Sequence, residues 1–187
     1  MTGLIAQAAW RPVDDYGLEH VHVLETGMGL RIDSRLLREQ EGQVYSAAYS
    51  ILCTDDWRFQ LLELRVSSDG IHTLKLSIDA DGVWHDGEGV EHPELFGCLE
   101  IDISAIPFTN SLAIGRLKLQ AGQSQDIQAA YIHLPDLTVS KMPQRYTAHG
   151  QARYTYEGLF RGFRADLAVD EHGLVLDYPE TFIRLVS

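Results

Sequence analysis

Positive charge is scarce in this 187-residue chain: 15 Lys and Arg stand against 27 Asp and Glu, for a formal net charge of −12. A protein that grips nucleic acid through its phosphates needs the opposite surplus, so nucleic acid is not an expected partner. Cysteine is scarcer still. Cys53 and Cys98 lie inside strand-like runs with no paired spacing, which reads as two reduced, buried thiols. Cys98 also stands close to acidic residues, and such neighbours disfavour an activated thiolate. Long apolar runs are missing: no window approaches the roughly 20 residues that a membrane helix needs. The opening "MTGLIAQAAWRPVDD" lacks the basic segment and apolar stretch of a signal peptide, so the expected location is cytoplasmic. No Gly-x-Gly-x-x-Gly or P-loop pattern occurs, and no cofactor is expected. Ser104, Ser111 and Ser140 stand outside any Gly-x-Ser-x-Gly elbow, which leaves a serine hydrolase without support.

What the chain has in abundance is period-2 alternation. "HVHVLET", "VYSAAYSILCT", "WRFQLLELRV" and "IHTLKLSID" read as strands, and the Asp-Gly pairs at Asp69, Asp81 and Asp86 mark tight turns between them. "CLEIDIS", "DIQAAYIHLPDLTVS", "PQRYTAHGQARYTYEG" and "FRADLAVDEHGLVLDYP" continue the pattern to the short final run "TFIRLVS". The fold class is therefore mainly β, a long antiparallel sheet in one domain over residues 1–187. Two stretches resist the strand reading. "DSRLLREQEG" suits a helical turn or two at the surface, with Ser34 as cap and Leu36 with Leu37 as an apolar patch. "IPFTNSLAIGRLKL" predicts a short helix at about 110–117, with Asn110 as N-cap and an apolar surface on all sides that implies burial. Gly115, otherwise costly in a helix by about 1 kcal/mol, fits a place where close packing leaves no room for a side chain.

The polar candidates follow from strand periodicity. Glu100 and Asp102 project from one strand face, roughly 6–7 Å apart, a spacing that suits acid–base work or hydrogen bonds to sugar hydroxyls. A solvated face or a structural ion-pair network accounts for them equally well. If they are buried they need cations, and Arg58, Arg116 and Arg145 are available. Tyr146, Tyr154 and Tyr156 share one face, where they either line an amphipathic pocket or fill the core. His20 and His22 form a His-x-His pair, but two ligands make no closed metal site, and no metal is expected.

The blocks "WRFQLLELRVSSDG", "GCLEIDISAIPFTNSLAIGRLKL", "AAYIHLPDLTV", "QRYT", "RYTYEGLF" and "VDEHGLVLDYPETFIRL" resemble, in that order, the glycolipid-binding family of bacterial proteins of spiral β-roll fold. The likeness runs from about Ala47 to the C-terminus, with the Pro-Phe-Thr-Asn block its most specific part. The chain departs from that pattern at Gly97, Glu100, Ala113 and Gly115, where an acidic residue, Asp, Pro and a basic residue are the usual ones. The resemblance implies a sheet rolled in a spiral around the single helix, a homodimer, and a glycolipid or other amphipathic small molecule as ligand. The ligand-binding residues expected on that reading are Arg58, Glu100, Asp102, Asn110, Arg116, Arg145, Tyr146 and Tyr154, without covalent chemistry. The alternatives are an enzyme using the Glu100/Asp102 pair, or a structural or regulatory homodimer without ligand.

Overall fold

The computed structural model describes residues 2–40, 42–160 and 162–186. In chain order the strands are β1 (Gly3–Pro12), β2 (Tyr16–Thr26), β3 (Gly29–Gln40), β4 (Gln43–Cys53), β5 (Phe59–Ser67), β6 (Ile71–Ile78), β7 (Trp84–Asp86), β8 (Glu100–Ile103), β9 (Ser124–Ile132), β10 (Val139–Gly150), β11 (Arg153–Gly158), β12 (Phe163–Ala168) and β13 (Phe182–Val186). A helix, α1 (Thr109–Leu117), lies between β8 and β9. The strands build two sheets. One is an eight-stranded antiparallel meander in the order β13-β1-β2-β3-β4-β5-β6-β7, and the other has five strands in the order β12-β11-β10-β9-β8. Among the described residues only one neighbouring pair, β8 with β9, is parallel; such a pair needs a crossover, and α1 lies within it. No helix is long and apolar enough to cross a membrane among the described residues.

Alternation explains which way each strand faces. In β2 and β3, Val21, Val23, Ile32 and Leu36 are buried, whereas Arg31, Arg35 and Leu37 between them are exposed. Trp10, Tyr49, Ile51, Leu62, Leu64 and Leu76 extend the same inner face, and Ile103, Ile132 and Leu167 of the second sheet join the core. At about 25 cal/mol per Å² of apolar surface removed from water, this shared core is the main stabilising term. Three Asx turns fix hairpin geometry, the Asp79, Asp86 and Asp170 carboxylates each accepting two backbone N–H bonds within four residues.

The helix falls where the sequence predicts it, one residue earlier at its start. All six residues from Thr109 to Ile114 are buried, as an apolar wheel requires. A Cβ added at Gly115 would lie 2.6 Å from the Trp57 ring, so the glycine is there for space. Asn110, however, is not the cap. Phe108 holds that position without a side-chain bond, and Asn110 sits inside the first turn, donating from Nδ2 to the Pro107 carbonyl at 3.2 Å. The helical turn expected in "DSRLLREQEG" is also corrected. Residues 33–40 of it lie in β3, paired on both sides by β2 and β4, with Leu36 inward and Leu37 outward. Ser34 and Arg38 occupy inward positions, and these polar members hide the alternation from a hydrophobicity pattern. Cys53 and Cys98 are free and buried, and burial pushes their thiols up to about 12 and about 11.

Candidate functional site

Two carboxylates and one helix organise the interior. Glu100 and Asp102 leave the same face of β8 and both meet α1, but at different turns. Glu100, 3% exposed, accepts a hydrogen bond from Arg116 Nε in the last turn of the helix. Burial raises the Glu100 pKa, and the Arg116 charge and hydrogen bond pull it back. Asp102 meets the first turn instead. It accepts from Thr109 Oγ1 at 2.7 Å and from Gln144 Nε2 of β10 at 2.6 Å, and has no ion-pair partner among the described residues. Burial pushes its carboxyl up to about 6, against the lowering effect of those two bonds and of the Ile103 backbone N–H.

Beside Asp102 a pocket of about 550 Å³ opens between the two sheets, within the size range of small-molecule sites. Its floor is polar: Asp102, Gln144 and Asn110, the last held by the Tyr146 hydroxyl, which donates to Asn110 Oδ1 at 3.0 Å. An aromatic chain forms the wall. From Tyr146, which lies behind the lining, ring centroids step to Tyr156 (5.4 Å) and along the wall to Phe163 (6.1 Å), Tyr178 (6.0 Å) and Phe182 (6.2 Å), so the wall crosses from one sheet to the other. Arg38 closes that wall with its guanidinium 5.0 Å from the Phe182 centroid, and its Nη2 donates to the Ala105 carbonyl at 2.6 Å. Gly17 permits this path, since a Cβ there would come within 3.2 Å of Arg38 Cδ. Burial and then the Asp102 charge hold the Tyr156 hydroxyl far above the ordinary phenol range; for Tyr178 burial, Tyr156 and Asp102 do the same. Both therefore remain protonated donors. Tyr131, His133, Met142 and the exposed Phe160 also line it.

The structure divides the expected ligand-binding residues into four places. Asp102 and Asn110 line the pocket. Glu100, Arg116 and Tyr146 stand behind that lining, as supports of its floor. Tyr154 packs half-buried against the core near the other end of β11. Arg58 and Arg145 lie apart from it: Arg58 pairs with Asp56 at 2.9 Å in an exposed turn, and Arg145 forks onto Asp126 of β9, its Nη2 at 2.9 Å. Of the three arginines available to the carboxylates, only Arg116 reaches one. Sequence reading missed Arg38, Gln144, Tyr131, Tyr178 and Phe182, and placed Tyr156 on the right face without selecting it. The signal for Gln144 was present, because it shares the inward parity of Tyr146 two residues later. His20 and His22 meet edge to face at 4.3 Å on the outer side of the meander. No group of three or more possible metal ligands gathers among the described residues.

Fold and pocket together define a β-rich protein of two sheets, with an amphipathic pocket whose floor is built around β8 and α1. The family model described as "Putative glycolipid-binding" matches residues 7–184, and the chain belongs to that family. It is similar to a DUF1089 family protein from Pseudomonas aeruginosa known from a crystal structure, at 38% identity and a TM-score of 0.84, over 94% of this chain and 95% of that one. No curated protein matches it.

Proposed function

We propose that the pocket between the sheets binds an amphipathic glycosyl compound, such as a glycolipid, and performs no covalent chemistry on it. The observation that carries this reading is the floor at Asp102, a carboxylate turned into an aromatic-walled pocket and met only by neutral donors. A carboxylate offers about four acceptor sites, and the donors from Thr109, Gln144 and the Ile103 backbone do not use them all. Sugar hydroxyls would supply the rest, the Tyr156 and Tyr178 rings would cover an apolar sugar face, and Met142 and Phe160 would take the alkyl part. Membership of a family described as glycolipid-binding supports the same reading. The Glu100/Asp102 acid–base alternative loses support from the Arg116 contact, because a carboxylate tied to a guanidinium is poorly placed to exchange protons.

The homodimer belongs to the proposal as well. Leu18 and Leu37 pair across β2 and β3 on the outer face with 46% and 57% exposure, and exposed apolar surface of this kind favours a partner. Sedimentation across a dilution series checks it: a dimer persisting to micromolar concentration agrees, and a monomer at all concentrations refutes it. For the ligand, delipidated protein is titrated with dodecyl maltoside below its micelle concentration and followed by calorimetry. Saturable binding at one site per chain is the expected result. A flat titration, together with native mass spectra free of any co-purified lipid, refutes the reading.

A further inference from the structure

The charges around the pocket say more about the ligand than its shape does. Four carboxylates reach the lining: Asp102 on the floor, Asp14 and Asp15 from the turn between β1 and β2, and Glu180 from the loop before β13. Among the described lining residues one guanidinium faces them, that of Arg38, and it is already committed. Arg38 is 1% exposed, donates to the Ala105 carbonyl, lies over Phe182, and has the Glu19 and Asp15 carboxylates as its electrostatic neighbours. Beside the floor, Arg116 and Arg145 are engaged by Glu100 and Asp126, and Lys141 of β10 donates to the Phe96 carbonyl. His133 is the remaining nitrogen base of the lining. A concave site lined mainly by one sign of charge focuses its field inward, and low-dielectric walls strengthen that field.

Resting on the proposed glycosyl site, we infer that the pocket selects an uncharged or amine-bearing sugar head and rejects phosphorylated, sulfated or carboxylated ones. An anionic group on the floor would lie beside the Asp102 carboxylate with no uncommitted Lys or Arg among the described lining residues to answer it, and so would bring a poorly compensated charge. A hydroxyl can donate to Asp102 and accept from the amide of Gln144 or a tyrosine hydroxyl. An ammonium does better still, since it supplies the cation that Asp102 lacks. The exposed acids Asp14, Asp15 and Glu180 extend the same preference to the mouth, where they would slow the approach of anions and favour cations.

The test uses amphiphiles that share a dodecyl tail and a pyranose ring and differ in one ring substituent that sets the charge: dodecyl glucoside, its 2-amino analogue, dodecyl glucoside 6-phosphate and dodecyl glucuronide. Calorimetric titration of the full chain at low salt is expected to rank the amino and neutral heads at least tenfold tighter than both anionic ones. In the triple variant Asp14→Asn, Asp15→Asn, Glu180→Gln, whose changes are all at exposed positions, that ratio should shrink several-fold. Equal or tighter binding of the phosphate or glucuronide overturns the inference while leaving the pocket reading intact. So does a ratio that the triple variant and Asp102→Asn both leave unchanged. Failure of all four compounds to bind overturns the pocket reading and the inference with it.

Discussion

Strand β8 carries two carboxylates on one face, and α1 answers them differently. At Glu100 the helix brings Arg116, and the two charges neutralise each other, the carboxylate buried and the guanidinium mostly so. At Asp102, one turn of strand away, it brings the hydroxyl of Thr109, and the charge stays unneutralised at the edge of a pocket. The first arrangement joins helix to sheet. The second keeps a polar group available for a ligand. Both follow from a helix running back along its preceding strand, so that its first turn meets the end of β8 and its last turn meets the beginning.

The comparison is broken most severely at the paired end. Arg116→Leu leaves Glu100 buried without its cation and should cost about 3–5 kcal/mol in urea unfolding. The double variant Glu100→Leu, Arg116→Leu should recover most of that loss, because the buried charge goes with its partner. A third buried acid sharpens the contrast. Glu19, fully buried among Tyr49 (2.7 Å) and Ser34 (3.1 Å), has its carboxyl raised to about 7 by burial. Its folded pKa exceeds its unfolded one, so the folded state holds the proton more tightly, and stability falls as pH rises from about 4.5 through about 7. Glu19→Gln should remove this slope, worth about 2–3 kcal/mol, in melting curves recorded from pH 4.5 to 8.

Asp102→Asn acts at the unpaired end, where the same sign applies over a lower window. Its carboxyl is raised to about 6, so the wild type loses stability as pH rises from about 4 through about 6. The variant should gain about 1–2 kcal/mol at pH 7, a discount on the full shift because Asp102 is only partly buried. It should also bind dodecyl maltoside at least tenfold more weakly. Stability gained and affinity lost in one substitution is the signature of a residue kept for a ligand. The smallest effect belongs to Arg145→Ala. Its pair with Asp126 is exposed on the outer face, and loss should change stability by less than about 1 kcal/mol and leave affinity unchanged.

Much of this was legible in the sequence. Alternation and Asp-Gly turns placed most strands, and the interrupted pattern at "IPFTNSLAIGRLKL" gave the buried helix. The strand parity of Glu100 and Asp102 brought both to one face, and Arg116 was the cation with the right place to meet one of them. What the alternation could not reveal was β3, because Ser34 and Arg38 put polar side chains at inward positions, where hydrophobicity is the usual sign. The pocket was hidden for a second reason. Its walls come from β3, β10, β11 and the loop before β13, and only the packing of one sheet against the other makes neighbours of Arg38, Gln144 and Tyr178. Arg145 shows the reverse error: a charge close in sequence to Gln144 and Tyr146 points to the opposite side, as the pleat requires.

The central claim is that ligand meets Asp102 and Gln144 between the sheets. Side-chain NMR during a dodecyl maltoside titration tests it directly, following the Gln144 amide and the Met142 methyl group. The account predicts that both resonances shift saturably while signals of Arg145 and Leu37, on outer faces, stay in place. Shifts confined to the outer faces, with Gln144 and Met142 unmoved at saturation, would contradict it.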